Sequence, residues 1–336
     1  MEAALNNFVH GLPWLLLLSM IVAMLLALGK GADLLVQEAV TLSVLWGVPT
    51  AVIGATIVSL GTTTPEAAVS VLAALRGSHG LALGNAVGSI ICDTGLILGI
   101  ATLIAPLKLD PRLVNRQGWI QLGAGLLLIA CCIPYAAPGA MFSAGGRLPQ
   151  AAGLFFLVLL AGYLYLSIRW AKCAPCEVVE EEKGVSNLLI LLKLLGAIAV
   201  VVGSSWLLIP AVQEAAIRLH VPEAIIAATL VAFGTSLPEL VTAVTAARKG
   251  HGELAVGNIV GADILNVLFV SGAAAAVTRG GLLAPPQFFK ILFPAMLLVL
   301  LVFRAGIRFS GGTMKRPFGF VLLGTYIAAT CLGYLI

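Results

Sequence analysis

Apolar residues run along this chain in long blocks, and the short stretches between them carry most of its charges. A helix of roughly 20 apolar residues crosses the hydrocarbon core of a bilayer. Windows of about 19 residues mark ten such spans, at 12–37, 43–76, 80–106, 116–136, 148–170, 188–216, 221–248, 253–277, 284–304 and 316–335. Five precede the polar segment 171–187 (AKCAPCEVVEEEKGVSN) and five follow it. The pattern predicts an all-α polytopic membrane protein.

Composition agrees: 60% of residues are hydrophobic, 10% are charged and the mean hydropathy is +1.08. A soluble globular domain, with about 25% charged residues, is excluded. The net charge of +4 is scattered over many short loops, which excludes nucleic acid as a partner and fits the excess of Lys and Arg on cytoplasmic loops. With the N-terminus outside, inner loops collect about twelve basic residues against about five outside, so both termini are expected outside and 171–187 in the cytoplasm. Glu2 stands where a cleavable signal would be basic, so the first span is expected to stay in the membrane. Cys92, Cys131, Cys132 and Cys331 fall in apolar segments and imply no disulfide framework. Cys173 and Cys176 form a C-x-x-C in the polar segment, which without partner ligands reads as incidental.

The chain contains an internal repeat. Residues 53–99 (IGATIVSLGTTTPEAAVSVLAALRGSHGLALGNAVGSIICDTGLILG) align without a gap on 226–272 (IAATLVAFGTSLPELVTAVTAARKGHGELAVGNIVGADILNVLFVSG), with about 20 of 47 positions identical. The copies start on spans two and seven. Five spans separate them, so they are expected to face opposite ways, as in alternating-access transporters built from inverted repeats. The expected organisation is a first repeat over 1–170, a cytoplasmic linker over 171–187 and a second repeat over 188–336.

Each copy sets a proline before a glutamate within a span: Pro65-Glu66 and Pro238-Glu239. Proline removes a backbone donor, so carbonyls near Gly61 and Gly234 are expected to lose their helix partners. Ser59, Thr62, Thr63 and Glu66 share one helix face, and Ala232, Thr235, Ser236 and Glu239 the equivalent one. Carboxylate, hydroxyl and carbonyl oxygens are the donors that hard cations take. The following helix adds a stripe of Asn85, Ser89 and Asp93 in one copy, and Asn258, Ala262 and Asn266 in the other. Glycines 84, 88, 257 and 261 fit close helix approach. A carboxylate near the bilayer centre costs about 2.5 kcal/mol or more. Glu66, Asp93 and Glu239, which no lysine or arginine in these stretches is placed to neutralise, are therefore expected to share a cation. One divalent ion leaves one negative charge over, and Asp93, away from the helix breaks, is the candidate to balance it with a proton. Lys30 and Asp33 are spaced for a helix-side pair, and Asp263 divides evenly between lining a passage and contacting a neighbouring helix. The four histidines fall at loops or edges and offer no histidine-based site within the membrane.

The paired G-T-[ST]-x-P-E and G-N-x-x-G-[SA] elements resemble the two repeats of the calcium/cation antiporter superfamily, specifically prokaryotic sodium/calcium exchangers. The resemblance covers both repeats and the ten-span layout. It implies broken core helices, four central ion sites, spans one and six sliding against the rest, and a prokaryotic inner membrane. Carried over residue by residue, Glu66 and Glu239 would bind Ca2+ with backbone oxygens near Thr62 and Thr235. Thr63, Ser236 and Ser89, with carbonyls near Ser59 and Ala232, would complete the Na+ sites, and Asp93 and Asn266 form the middle pair. The first motif departs by reading T-T-T-P-E, and Ala262 replaces a serine, which puts one Na+ site in doubt and leaves a proton or potassium requirement open.

The expected function is therefore antiport of Ca2+ against Na+, with no cofactor and no obligatory protein partner. The alternative is a Ca2+/H+ or K+-dependent exchanger. An intramembrane hydrolase would need catalytic aspartates in their own motif or a His-based metal site, and neither is evident. A passive channel fits broken inverted repeats less well.

Overall fold

The computed structural model describes residues 2–171, 187–219 and 234–335. Ala232, His220, Cys173, Cys176, nearly all of the 171–187 linker and the first half of the seventh expected span lie outside these residues. Twelve helices are used below: α1 (Glu2–His10), α2 (Trp14–Trp46), α3 (Thr50–Thr62), α4 (Thr64–Leu75), α5 (His79–Ile104) and α6 (Pro111–Cys132), then α7 (Gln150–Ala171), α8 (Asn187–Arg218), α9 (Leu237–Arg248), α10 (Gly252–Val277), α11 (Phe288–Phe309) and α12 (Arg316–Leu335). Among the described residues helix falls within each expected position, the seventh only over its second half. Six helices are long and apolar enough to cross a membrane, and α3 with α4 form one further span bent by 43°.

The first span ends later than expected. Helix α2 runs through Gln37 and Glu38 to Trp46, and Glu38, buried in the bundle, lies 3.7 Å from Lys193 on α8. The helix stops where Gly47 adopts the left-handed conformation at φ 60°, followed by Pro49. Nor does Asp33 pair with Lys30 as its spacing suggested. Lys249, just past α9, lies 2.8 Å from the Asp33 carboxylate and donates to its carbonyl at 3.0 Å. Helices α2 and α8 pack along each other, with Gly31 admitting Val200 and Val201.

Four short strands reveal the symmetry. β1 (Leu107–Lys108) follows α5, β2 (Gly146–Leu148) precedes α7, β3 (Leu282–Ala284) follows α10 and β4 (Thr313–Met314) precedes α12. β1 pairs antiparallel with β4, and β2 with β3. Each ribbon thus joins one half of the chain to the other. The ribbons sit at opposite ends of α6 and α11, and exchanging the halves exchanges the ribbons. A twofold axis in the membrane plane produces this arrangement.

Helices α5 and α10 form the centre: 78% and 83% of their apolar windows are buried, against 22% for α2. Against α3, α10 makes backbone-to-backbone contact. A Cβ on Gly257 would come within 2.2 Å of the Ala51 carbonyl oxygen, and one on Gly261 within 2.5 Å of the Ala55 Cα. No other residue fits there. Three core helices carry a π-helical stretch, at Gly54–Val58, Cys92–Ile97 and Asn266–Ser271. The last two occupy equivalent places in the two copies, and such bulges are frequent at functional sites because they re-aim side chains within a continuous helix.

Candidate cation site

The break between α3 and α4 falls at Thr63, and the mechanism differs from the expected interior proline. Pro65 occupies the first turn of α4, where its missing N–H belongs to the unpaired set of any helix start. The Thr63 N–H still bonds the Ser59 carbonyl at 2.8 Å, so that carbonyl keeps a helix partner, while the Gly61 carbonyl faces the proline nitrogen four residues on. Glu66 lies in the first turn of the new helix. In the second copy Ser236 caps α9, Pro238 is again in the first turn and Glu239 follows. Each glutamate therefore sits at the N-terminus of a helix, where the dipole favours negative charge.

Among the predicted ligands, Ser59, Thr62, Thr63, Glu66, Ser89, Asp93, Ser236, Glu239 and Asn266 are all buried, with Glu66, Asp93 and Glu239 each 1% exposed. Thr235 is part-buried and Ala232 lies outside the described residues. The two motifs interdigitate. The Thr63 hydroxyl of the first donates to Glu239 Oε1 of the second at 3.4 Å, and the Thr62 hydroxyl also faces that carboxylate. Reciprocally, the Thr235 hydroxyl faces Glu66 and the Ser236 hydroxyl faces Asp93. Glu239 and Asp93 are the charges that act most strongly on Glu66.

Oxygens at this crossing lack donors. Both carboxylate oxygens of Glu66, Oδ1 of Asp93, Oε2 of Glu239, Oγ of Ser236 and Oδ1 of Asn266 are buried without a hydrogen-bond partner. A buried polar atom left unpaired costs about 1–3 kcal/mol, and more if charged. Among the described residues no lysine or arginine is ion-paired with these carboxylates; Arg304 has buried guanidinium nitrogens but lies beside Asn115 and Trp119 of α6, and no three His, Cys, Asp or Glu side chains converge tightly enough to hold a metal alone. The donor set is mixed, with carboxylates supplemented by hydroxyl and amide oxygens, and suits hard cations.

Several polar residues outside the predicted ligand set belong to the same region. Asn85 donates to Ser70 Oγ at 3.0 Å and to the Glu66 carbonyl at 3.3 Å, and accepts from Thr235 at 3.4 Å, tying α4, α5 and the second motif together. Asp263 accepts from Thr94 and from Gln121 Nε2. Thr94 and Gln121 carried no sequence signal beyond being polar residues within apolar spans. Of the two open roles for Asp263, it contacts neighbouring helices α5 and α6.

Apolar helices wrapped around a buried crossing of oxygen donors define an integral membrane transporter of cations. The sodium/calcium exchanger protein family model matches residues 16–169 and 188–335, and the chain belongs to that family. It is 31% identical over 335 residues to the inner membrane protein YrbG of Escherichia coli, covering 95% of this chain and 97% of that protein. It is 30% identical over 335 residues to the sodium/calcium exchanger MaX1 of Methanosarcina acetivorans, covering 90% and 94%. Its fold matches the sodium-calcium exchanger NCX_Mj, soaked with Na+ and Sr2+, with a TM-score of 0.77 and 26% identity over 95% of this chain and 99% of that one. The protein is a transporter, not an enzyme.

Proposed function

We propose that this protein exchanges Ca2+ for Na+ across a prokaryotic inner membrane by alternating access, with the ions bound where the two motifs cross. Glu66 and Glu239 hold Ca2+ between them with oxygens of Thr62 and Thr235. Na+ binds in its place and beside it, on Thr63, Ser236, Ser89 and the carbonyls near Ser59 and Ala232, with Asp93 and Asn266 as the middle pair. The observation that carries this reading is the set of buried, donorless oxygens on Glu66, Glu239, Asp93, Asn266 and Ser236, with no basic side chain paired to any of these carboxylates among the described residues. Such a set is stabilised by cations bound in it, with a proton able to neutralise any carboxylate left over.

Access alternates by sliding of the α2–α8 pair against the core. Support comes from its peripheral place and from Gly61 of α3, where the Ile198 side chain of α8 packs so closely that a Cβ would lie 2.7 Å from it. With both termini outside, 171–187 joins the halves on the cytoplasmic side.

A second reading is coupling to H+ or K+, favoured by Ala262 in place of a hydroxyl and by the acid at Asp93. Calcium-45 uptake into proteoliposomes loaded with sodium, potassium or protons separates the two. Uptake that requires internal Na+ is the expected result, and uptake driven by a pH gradient without Na+ would overturn it.

A further inference from the structure

Helix α3 changes its winding just before it reaches the crossing. Over Gly54–Val58 it is π-helical, and Ser59, Thr62 and Thr63 follow directly. In an α-helix the Ser59 N–H would serve the Ala55 carbonyl, but here it bonds the Gly54 carbonyl, five residues back. The Ala55 carbonyl thereby loses its α-helical donor inside a membrane-spanning core, where backbone groups have to be satisfied by protein.

Another helix supplies the replacement. Tyr163 of α7 is buried, and its hydroxyl lies 3.1 Å from the Ala55 carbonyl oxygen and 2.9 Å from the side-chain amide of Gln117 on α6, also buried. One phenolic proton cannot serve two acceptors. The carbonyl can only accept, whereas the Gln117 amide can present its N–H to the phenol oxygen, so the proton goes to Ala55 and Gln117 donates in return. The hydroxyls of Thr56 and Ser59 serve carbonyls of their own helix, Val52 at 2.6 Å and Thr56 at 3.3 Å. Ala55 is served from outside α3. Helix α10 closes on the same residue, since a Cβ on Gly261 would lie 2.5 Å from the Ala55 Cα and 2.7 Å from the Ser59 hydroxyl oxygen.

We propose that Tyr163 is a positioning residue for the ion site: it holds the π-helical stretch of α3, and with it the rotation at which Ser59, Thr62 and Thr63 face the crossing. Without the phenol, the donor at hand for Ala55 is the Ser59 N–H. Taking it back turns the stretch into α-helix, and a register change of one residue rotates one end of α3 against the other by about 100°. Glu66 stands beyond the break at Thr63, in the first turn of a separate helix, so the loss falls first on the oxygens of α3. Of these, Thr63 and the carbonyl near Ser59 are Na+ ligands in the function proposed above, on which this consequence rests.

Tyr163→Phe keeps the ring and removes the hydroxyl, and two measurements on it test the proposal. In calcium-45 uptake by sodium-loaded proteoliposomes, the Na+ concentration that half-saturates exchange is expected to rise several-fold, with the maximal rate within about twofold of wild type. Gln117→Leu, which leaves the phenol in place without its orienting donor, is expected to shift the same quantity in the same direction by less. A phenol that only fills space would lower the melting temperature and the maximal rate and leave the half-saturating Na+ concentration unchanged, and that result overturns the proposal. A crystal structure of Tyr163→Phe is expected to show the Ser59 N–H returned to the Ala55 carbonyl, and a π-helical stretch that persists there overturns the proposal whatever ions the protein carries. Calcium uptake by wild type that needs no sodium would instead count against the exchange proposed above, and the backbone of the variant would still decide the role of Tyr163.

Discussion

The two copies of the motif share a backbone and differ in how their polar side chains are committed. In the first copy Asn85 is fully engaged, with Ser70, the Glu66 carbonyl and Thr235 as partners. Asn258 stands at the equivalent place in the second copy, buried, with neither its amide nor its carbonyl partnered. One difference is a substitution: where the first copy has Ser70, the second has Ala243, so the hydroxyl that receives the Asn85 amide has no counterpart for Asn258. Similar exchanges set Ser89 against Ala262, Asp93 against Asn266 and Ile90 against Asp263. The first copy ties Asn85 into a network with Ser70 and Thr235, while the second leaves Asn258 unpartnered, and each copy brings two buried acids at different places, Glu66 and Asp93 in the first and Glu239 and Asp263 in the second. Duplicated halves that share a motif thus present different polar groups to the crossing.

The largest effect that would test this division lies where the copies still agree. Glu66→Gln and Glu239→Gln each remove a charge from the crossing, and breaking a buried charge pair costs about 2–5 kcal/mol. Exchange measured as calcium-45 uptake into sodium-loaded proteoliposomes is expected to fall by about 100-fold or more. Glu66 has no donor on either oxygen, whereas Glu239 retains Thr63, so Glu66→Gln is expected to be the more damaging. Wild-type exchange in both variants would remove the crossing as the site.

A packing change comes next. Gly257→Ala places a Cβ against the Ala51 carbonyl at 2.2 Å, and neither backbone has a flexible end to yield. Overpacking of this kind costs about 1–3 kcal/mol. The melting temperature of the purified protein is expected to drop by several degrees, and an unchanged value would show that α3 and α10 stand further apart than described here.

Swapping the acid between copies sharpens the comparison further. Asp93→Asn is expected to flatten the pH dependence of exchange more than it weakens Ca2+ binding, because it removes the one acid of the middle pair. Adding Asn266→Asp to it restores the charge on the other helix. If charge alone matters, the double variant regains the pH dependence. If the first copy's network matters, it does not. An unchanged pH profile in Asp93→Asn would exclude Asp93 as the titrating group.

Much of this arrangement was legible before the fold. The all-α membrane class and the places of the described helices follow from apolar blocks, and the glutamates, threonines and serines of the crossing follow from a motif written twice. Partnerships across long stretches of chain were not legible. Asp33 is four-fifths of a turn from Lys30 and yet pairs with Lys249, and Glu38 lies against Lys193 of α8. Periodicity reports which residues share a face of one helix, and carries no information about which helix lies opposite. Asp263 illustrates the same limit: its partners Thr94 and Gln121 belong to two other helices, and each is an unremarked polar residue in an apolar run.

The smallest expected effect concerns the hydroxyl lost from the second copy. Ala262 is fully buried on α10, one turn before Asn266 and at the place where α5 carries Ser89. Ala262→Ser adds one oxygen to the crossing and little volume. A hydroxyl that ligates Na+ there gains a charge-assisted contact, worth about 1.5–3 kcal/mol before desolvation is counted, and most of that is offset by taking the hydroxyl out of water. The net expectation is a fall of a few-fold in the Na+ concentration that half-saturates exchange, with the Ca2+ dependence unchanged, read from calcium-45 uptake over a sodium titration. A matching shift in the Ca2+ dependence would mean that residue 262 borders the divalent position instead, and that the two copies share their sodium ligands less evenly than their sequences imply.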